Sequence, residues 1–235
     1  PLYSLKLPGH EGIAQMVAGW ADSRWFQSSV AVIFGHMGDN VPEAFIKDRE
    51  QLSGRPFNVE GMKAVAPMMK DQWRARLMLI EERLAGGKGA GSGNYLIGAK
   101  PGLVDVHAYM NVWWMKSAVP EFADACLENA PLTAAWYRRL AEAEGQEPET
   151  ITSKQAVAIA RDAAPRLVAA TTRNEPQEFS PGERVAVAPD DYGQDWVEGE
   201  LVHADSQRII VRRFTPEAET VHVHFPRAGF WVRRA

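Results

Sequence analysis

The chain has almost no cysteine, no long apolar run and no excess of positive charge. Cys126 is the single cysteine in 235 residues, so a disulfide framework within one chain is excluded and a cytoplasmic location is expected. No apolar run approaches the roughly 20 residues of a transmembrane helix, so no membrane partner is expected. The chain has 26 Lys+Arg against 30 Asp+Glu and a net charge of −4. It therefore lacks the broad positive field that attracts nucleic acid, which is not an expected partner.

The first three quarters of the chain have helical periodicity. Residues 1–9, PLYSLKLPG, are predicted to form an extended linker, and a long helix is predicted to begin at His10. This helix becomes apolar nearly all round towards its end, as expected of a buried helix. One face of its first half is marked by residues that recur at spacings of three and four. They are Ile13, Met16, Val17, Trp20, Arg24 and Gln27.

A second long helix is predicted from a cap at Asn58 to Leu84. It contains Pro67, whose ring removes one backbone donor and predicts a kink. The segment 86–93, GGKGAGSG, lacks the preceding strand and the G-K-[ST] ending of a phosphate-binding loop, so a surface loop is predicted there.

The boundaries between domains are predicted from breaks in these patterns. Residues 10–150 are expected to form one helical domain. A connecting helix is predicted over 151–176, capped by Ser153 and interrupted at Pro165.

From residue 177 onward the period changes to two. Valines, aromatic residues and arginines alternate in five short segments with tight turns between them, which is typical of a small β-barrel of the SH3-like type. The predicted fold class is therefore multi-domain α plus β, an all-helical bundle followed by a five-stranded SH3-like β-barrel over 177–235. The predicted strands are 183–188, 196–204, 208–214, 220–225 and 230–234.

The segment from Tyr95 to Met115 contains a turn and the start of a helix. Gly102 is at the N-cap position, and Asp105 lies three residues later, where a carboxylate reaches back to the N-cap amide. This placement favours a capping role for Asp105 over acid–base chemistry. Trp113 and Trp114 are expected to be buried on two faces of the helix.

These features resemble the C-terminal helical domain of the cytosolic glutathione transferases. The resemblance covers roughly residues 8 to 145: the long first helix, the Asn58–Leu84 helix, and Tyr95-Leu96-Ile97-Gly98 followed by Pro101-Gly102-Leu103-Val104-Asp105. The family usually has Ser or Thr where this chain has Gly102. In that family glutathione binds mainly to an N-terminal thioredoxin-like domain, which also supplies the residue that activates the thiol. The resemblance implies that this chain begins in the interdomain linker and lacks that domain.

The resemblance also implies a function and a set of substrate-binding residues. One face of the first helix, with Trp20, Arg24 and Gln27, would line the acceptor-substrate cleft; the alternative is that the tryptophans pack the core and Arg24 pairs with an acid. The expected reaction is glutathione conjugation or reduction of a small electrophile. Glutathione is the expected co-substrate, but it would bind only when the missing domain is present. The chain alone is therefore expected to be inactive. Homodimer contacts are implied as well. The alternative function is a non-catalytic scaffold whose β-barrel binds a peptide or protein partner.

Two further clusters lie in the predicted barrel. His222 and His224 form H-x-H on one strand face, a spacing that zinc sites use, and His203 would be a third ligand. No acid or cysteine clearly completes that set, so a solvated histidine face and no bound metal are expected. The second cluster is a predicted peptide groove formed by Tyr192, Trp196, Phe225 and Trp231. The alternative is that Trp196 and Trp231 simply fill the core of the barrel.

Overall fold

The computed structural model describes residues 10–86, 94–142, 149–163, 165 and 178–235. The predicted linker 1–9, most of the glycine-rich loop and the last part of the predicted connecting helix lie outside these residues. The chain divides into two compact units. The helical unit comprises Pro1–Lys47 and Pro56–Gln146, and the sheet unit comprises Asp48–Arg55 and Glu147–Ala235.

The described residues before the sheet form eight α-helices. None of them is long and apolar enough to cross a membrane. The first helical run is nearly continuous but contains one π-helical turn, Ala21–Trp25, and it ends in a 3-10 turn, Gly38–Asn40. The α-helices are α1 His10–Trp20, α2 Phe26–Met37, α3 Glu43–Ser53, α4 Val59–Ala85, α5 Leu103–Ala118, α6 Pro120–Glu128, α7 Pro131–Glu142 and α8 Ser153–Asp162.

Local sequence signals explain where several helices begin. The Asn58 side chain accepts a hydrogen bond of 2.8 Å from the amide of Gly61 and so caps α4. Helix α8 begins one residue away from the predicted cap. Thr152, not Ser153, is its N-cap, because Thr152 and Gln155 form a reciprocal capping box. Helix α8 ends at Asp162, before Pro165.

The core of the helical unit is built on three fully buried tryptophans, Trp25, Trp73 and Trp136. Helix α2 packs closely on α4 at Gly35. A Cβ atom at this position would lie only 2.9 Å from the carbonyl oxygen of Met62, so the close approach requires glycine. The prediction that Trp113 is buried is wrong. Its side chain is 42 % exposed, because it lies on the face of α5 that turns away from this core.

The sheet unit contains one five-stranded antiparallel sheet. Its strand order is β4-β3-β2-β1-β5, with a register irregularity in β2 between Leu201 and His203. Its core consists of Val185, Val187, Leu201, Ile209 and Val211. The strands are β1 Arg184–Pro189, β2 Val197–Ala204, β3 Arg208–Thr215, β4 Glu219–Pro226 and β5 Phe230–Arg234.

The predicted closed barrel is not confirmed, because the described sheet is open. A barrel closes only when its two edge strands pair with each other. Here β5 pairs with β1 and β4 pairs with β3, so β4 and β5 remain as edges. Charged residues protect such edges from pairing with other chains, and β5 ends in Arg233 and Arg234.

Candidate functional site

The π-helical turn Ala21–Trp25 lies in the middle of the predicted acceptor face. The amide of Phe26 donates to the carbonyl oxygen of Ala21, five residues earlier, and this widens the helix locally. The side-chain amide of Asn111 on α5 donates a second hydrogen bond, of 3.1 Å, to the same carbonyl. Single π turns inside α-helices occur frequently at functional sites.

A buried polar network fixes this turn against the rest of the helical unit. The Ser29 hydroxyl donates to the Asn111 side-chain oxygen at 2.9 Å and accepts from the Trp73 indole N–H at 3.2 Å. Ser29 is fully buried and Asn111 is 3 % exposed, so each hydrogen bond satisfies a group that water does not reach. The network joins α2, α4 and α5. The sequence signal that could have revealed it is a serine pair and an asparagine within otherwise apolar helices.

The structure places Trp20, Arg24 and Gln27 in different environments. Trp20 is half-buried, and its ring centroid lies 5.4 Å from that of Trp25. Arg24 and Gln27 are exposed. The alternative in which Arg24 pairs with an acid, such as Asp22 on the same helix, is not seen among the described residues of the helical unit. A role of these three residues in substrate binding stays a prediction.

Beside Trp20 lies an apolar cavity of about 320 Å³ within the helical unit. This volume is at the lower end of the range found for small-molecule sites. Arg24 and Gln27 are not among its lining residues, so only Trp20 of the predicted set reaches it. The lining comes from α1, α4, the turn before α5 and the first residues of α5. It consists of Ile13, Val17, Trp20, Leu79, Ile80, Arg83, Leu96, Ile97 and Val104.

Asp105 holds the turn that forms the floor of this cavity. One carboxylate oxygen accepts from the amide of Gly102 at 2.9 Å. The other accepts from the amide of Leu96 at 2.8 Å and from the indole N–H of Trp136 at 2.9 Å. Asp105 is fully buried, and three N–H donors surround its charge. This residue therefore connects the start of α5, the preceding turn and α7, and it positions Leu96 at the cavity.

Cys126 does not contribute a nucleophile to this region. Its side chain is 4 % exposed, and burial raises the pKa of its thiol, which opposes formation of the reactive thiolate. Cys126 belongs to the apolar core of the helical unit.

The histidines of the sheet do not converge on one point. His222 and His224 lie on β4, whereas His203 lies on β2, and β3 runs between them. Two strand spacings, roughly 9.6 Å in all, separate the backbones of β2 and β4. His203 instead contacts the Asp205 carboxylate at 2.9 Å, and among the described residues no group of three potential ligands is close enough to hold a metal.

The four aromatic residues of the predicted peptide groove are not on one surface. Phe225 packs in the sheet core beside Phe230, with ring centroids 5.5 Å apart. Trp231 alternates with Phe230 and Val232, so it points to the opposite face and is 51 % exposed. The Arg233 guanidinium covers the ring of Trp196 at 4.1 Å. The groove as predicted is therefore not formed.

Comparisons with known proteins support a glutathione-transferase-like fold. Residues 36–148 match a family described as a domain of unknown function, DUF7962. A comparison with curated proteins gives no match. The chain is similar to a solved structure described as a GST-like protein from Pseudomonas syringae, with 27 % identity and a TM-score of 0.71. That likeness covers 100 % of this chain and 70 % of the other. The fold of this chain is therefore similar to that of a glutathione-transferase-like protein.

Proposed function

We propose that this chain is the substrate-binding part of a glutathione-transferase-like enzyme and that the cavity beside Trp20 accepts the apolar part of the electrophile. The observation that carries the proposal is the cavity itself, since eight of its nine lining residues are apolar. The likeness to a GST-like structure supports the choice of reaction class. A concave apolar surface of this kind binds small molecules by removing their apolar surface from water.

In the proposed reaction the thiolate sulfur of glutathione attacks an electrophilic carbon of the acceptor. A carbon–sulfur bond forms, and the leaving group departs with the electron pair of the bond that breaks. The described residues contribute binding and orientation of the acceptor. Arg24, an exposed cation on the same helical run as Trp20, is proposed to attract the anionic co-substrate. Activation of the thiol is proposed to take place on a thioredoxin-like domain, in the cytoplasm, so that these 235 residues alone give no turnover.

Binding of an apolar electrophile to the protein tests the cavity. We expect 1-chloro-2,4-dinitrobenzene to quench tryptophan fluorescence, and Trp20→Leu to weaken binding about fivefold, because an aromatic contact is worth about 1 kcal/mol. Trp113→Leu is the matched control, since Trp113 is exposed and does not line the cavity. Equal affinities of the two variants would contradict the proposal. Conjugation with glutathione by this chain alone would contradict the proposed inactivity.

Exposed aromatic residues of the sheet unit favour a second candidate, a non-catalytic interaction protein. Tyr192, Phe214 and Trp231 are 49 %, 70 % and 51 % exposed, so their rings are not used to pack the core of the sheet. Exposed aromatic side chains of this kind are typical of interaction surfaces. Retention of the full-length gene product on glutathione resin distinguishes the two candidates: retention supports the enzyme, whereas its absence, together with binding of a proline-rich or basic peptide, supports the interaction protein. Sedimentation of the protein at several concentrations tests the proposed homodimer.

A further inference from the structure

We propose that the cavity beside Trp20 is selective for electrophiles that carry an apolar body and a carboxylate, whose anionic end is bound by Arg83; a medium-chain fatty acid is an unreactive probe of this class. This inference rests on the proposed function, because it names the chemical class of the molecule that the same cavity takes. It depends on three features of the structure: the shape of the cavity, the position of one cation on its lining, and the absence of a competing acid for that cation among the described residues.

The cavity has a closed apolar end and an open end. Ile80, Leu96, Ile97 and Val104 are each at most 6 % exposed and form the closed end. Ile13 and Leu79 are 45 % and 52 % exposed and form the rim. An alkyl chain that enters past the rim would bury most of its surface against aliphatic side chains, which favours binding by about 0.8 kcal/mol per CH₂ group.

Arg83 is the one ionisable residue among the described residues that line the cavity. It is exposed and follows Leu79 and Ile80 on α4 by one turn, which places it on the same side of that helix. A guanidinium binds a carboxylate through two parallel N–H donors, so it recognises a ligand with one planar anionic end. A ligand with an apolar body and a carboxylate therefore matches both parts of the lining.

No described acid occupies the Arg83 guanidinium. Arginines elsewhere on α4 have partners, since Arg74 contacts the Asp71 carboxylate at 2.8 Å and Arg76 contacts the backbone oxygen of Gln72 at 2.8 Å. Arg83 forms no such contact in the part of the chain that the structure describes. The Glu81 carboxylate is also engaged elsewhere: it accepts from the amide and the hydroxyl of Thr133, at 2.7 and 2.8 Å.

Calorimetric titration of the whole chain with decanoate and with 1-decanol tests the inference. The two probes have the same chain length and differ in the charge of the end group. Three variants are compared with the unchanged protein. Arg83→Gln removes the proposed carboxylate partner, Arg76→Gln is the matched control on the same helix, and Leu79→Trp narrows the entrance at an exposed position.

We expect decanoate to bind about tenfold more tightly than decanol, because a charge-assisted hydrogen bond at a partly exposed site is worth about 1.4 kcal/mol. Arg83→Gln should remove this preference and leave decanol binding unchanged, whereas Arg76→Gln should change neither. Leu79→Trp should weaken both ligands at least tenfold.

The remaining outcomes separate the two proposals. Equal binding of both probes, with no effect of Arg83→Gln, overturns the carboxylate preference but keeps the apolar acceptor site. Binding of neither probe overturns the acceptor site and the preference together. If Leu79→Trp leaves decanoate binding unchanged, the ligand binds outside this cavity, and the assignment of Arg83 is overturned.

Discussion

Replacement of Asp105 by asparagine should destabilise the helical unit by about 3 kcal/mol. The carboxylate accepts three hydrogen bonds, from the amides of Leu96 and Gly102 and from the indole of Trp136, at 2.8, 2.9 and 2.9 Å. Hydrogen bonds to a charged group contribute about 1.5–3 kcal/mol, and a buried donor without a partner costs about 1–3 kcal/mol. Asparagine has the same size but only one acceptor oxygen, so its NH₂ group faces at least one N–H donor.

The magnitude follows from counting these donors. If the asparagine oxygen keeps Leu96 and Trp136, the Gly102 amide is left facing a second donor, and the two remaining bonds lose their charge assistance. Asp105→Ala leaves all three donors without an acceptor and should cost about 5 kcal/mol, since such terms are not fully additive.

Urea unfolding followed by circular dichroism at 222 nm measures this effect, because most helices belong to the helical unit. Asp124→Asn is the control. Asp124 is an exposed aspartate that pairs with Lys116, so its loss should change the free energy of unfolding by less than about 1 kcal/mol. A cost below about 1 kcal/mol for Asp105→Asn, or an alanine variant as stable as the asparagine variant, would refute the reasoning.

Three other substitutions test other parts of the structure. Asp205 is buried; burial raises the pKa of its carboxyl, but hydrogen bonds from His203, Gln207 and Arg208 outweigh this and lower it from 3.8 to about 2. A lowered folded-state pKa stabilises the fold by about 2 kcal/mol above pH 4, and about 1 kcal/mol of this is lost by pH 3. The difference in denaturant midpoint between Asp205→Asn and the unchanged protein should therefore be smaller at pH 3 than at pH 7. An equal difference at both pH values would contradict this prediction. Asn111→Ala should lower the free energy of unfolding by about 2 kcal/mol, measured in urea, because it removes one buried hydrogen bond to the Ala21 carbonyl and one from the Ser29 hydroxyl. Gly199→Ala should cost at least about 2 kcal/mol in thermal unfolding, since its Cβ would lie 2.5 Å from the carbonyl oxygen of Arg212; an unchanged melting temperature would refute that close approach.

Most of the secondary structure could be predicted because its signals are local. The period-two alternation after residue 177 predicted all five strands, and each observed end lies within about two residues of the predicted one. The cap at Asn58 was predicted from residues that are neighbours in the chain. The cap of α8 was predicted one residue late, because Thr152 and Ser153 are both good N-caps and only the position of Gln155 distinguishes them.

The candidate site could be predicted only in part. Helical spacing and the family resemblance pointed to the face with Trp20, Arg24 and Gln27. Of these three residues only Trp20 lines the cavity, which extends from Trp20 towards the start of α1. Arg83 was not predicted, because a single arginine near the end of a polar helix looks like any solvated residue in sequence.

The sequence by itself determined which segments are helices and strands, and it identified Asp105 as a residue at the start of a helix. Only the tertiary structure decided that Trp136 donates to Asp105, that Asn111 joins Ser29 to the π turn, and that the sheet stays open. The physical reason is that periodicity and capping depend on residues within about one turn of each other. Cavities, buried polar networks and strand pairing depend on residues that are distant in the chain and that meet only when the helices and strands pack.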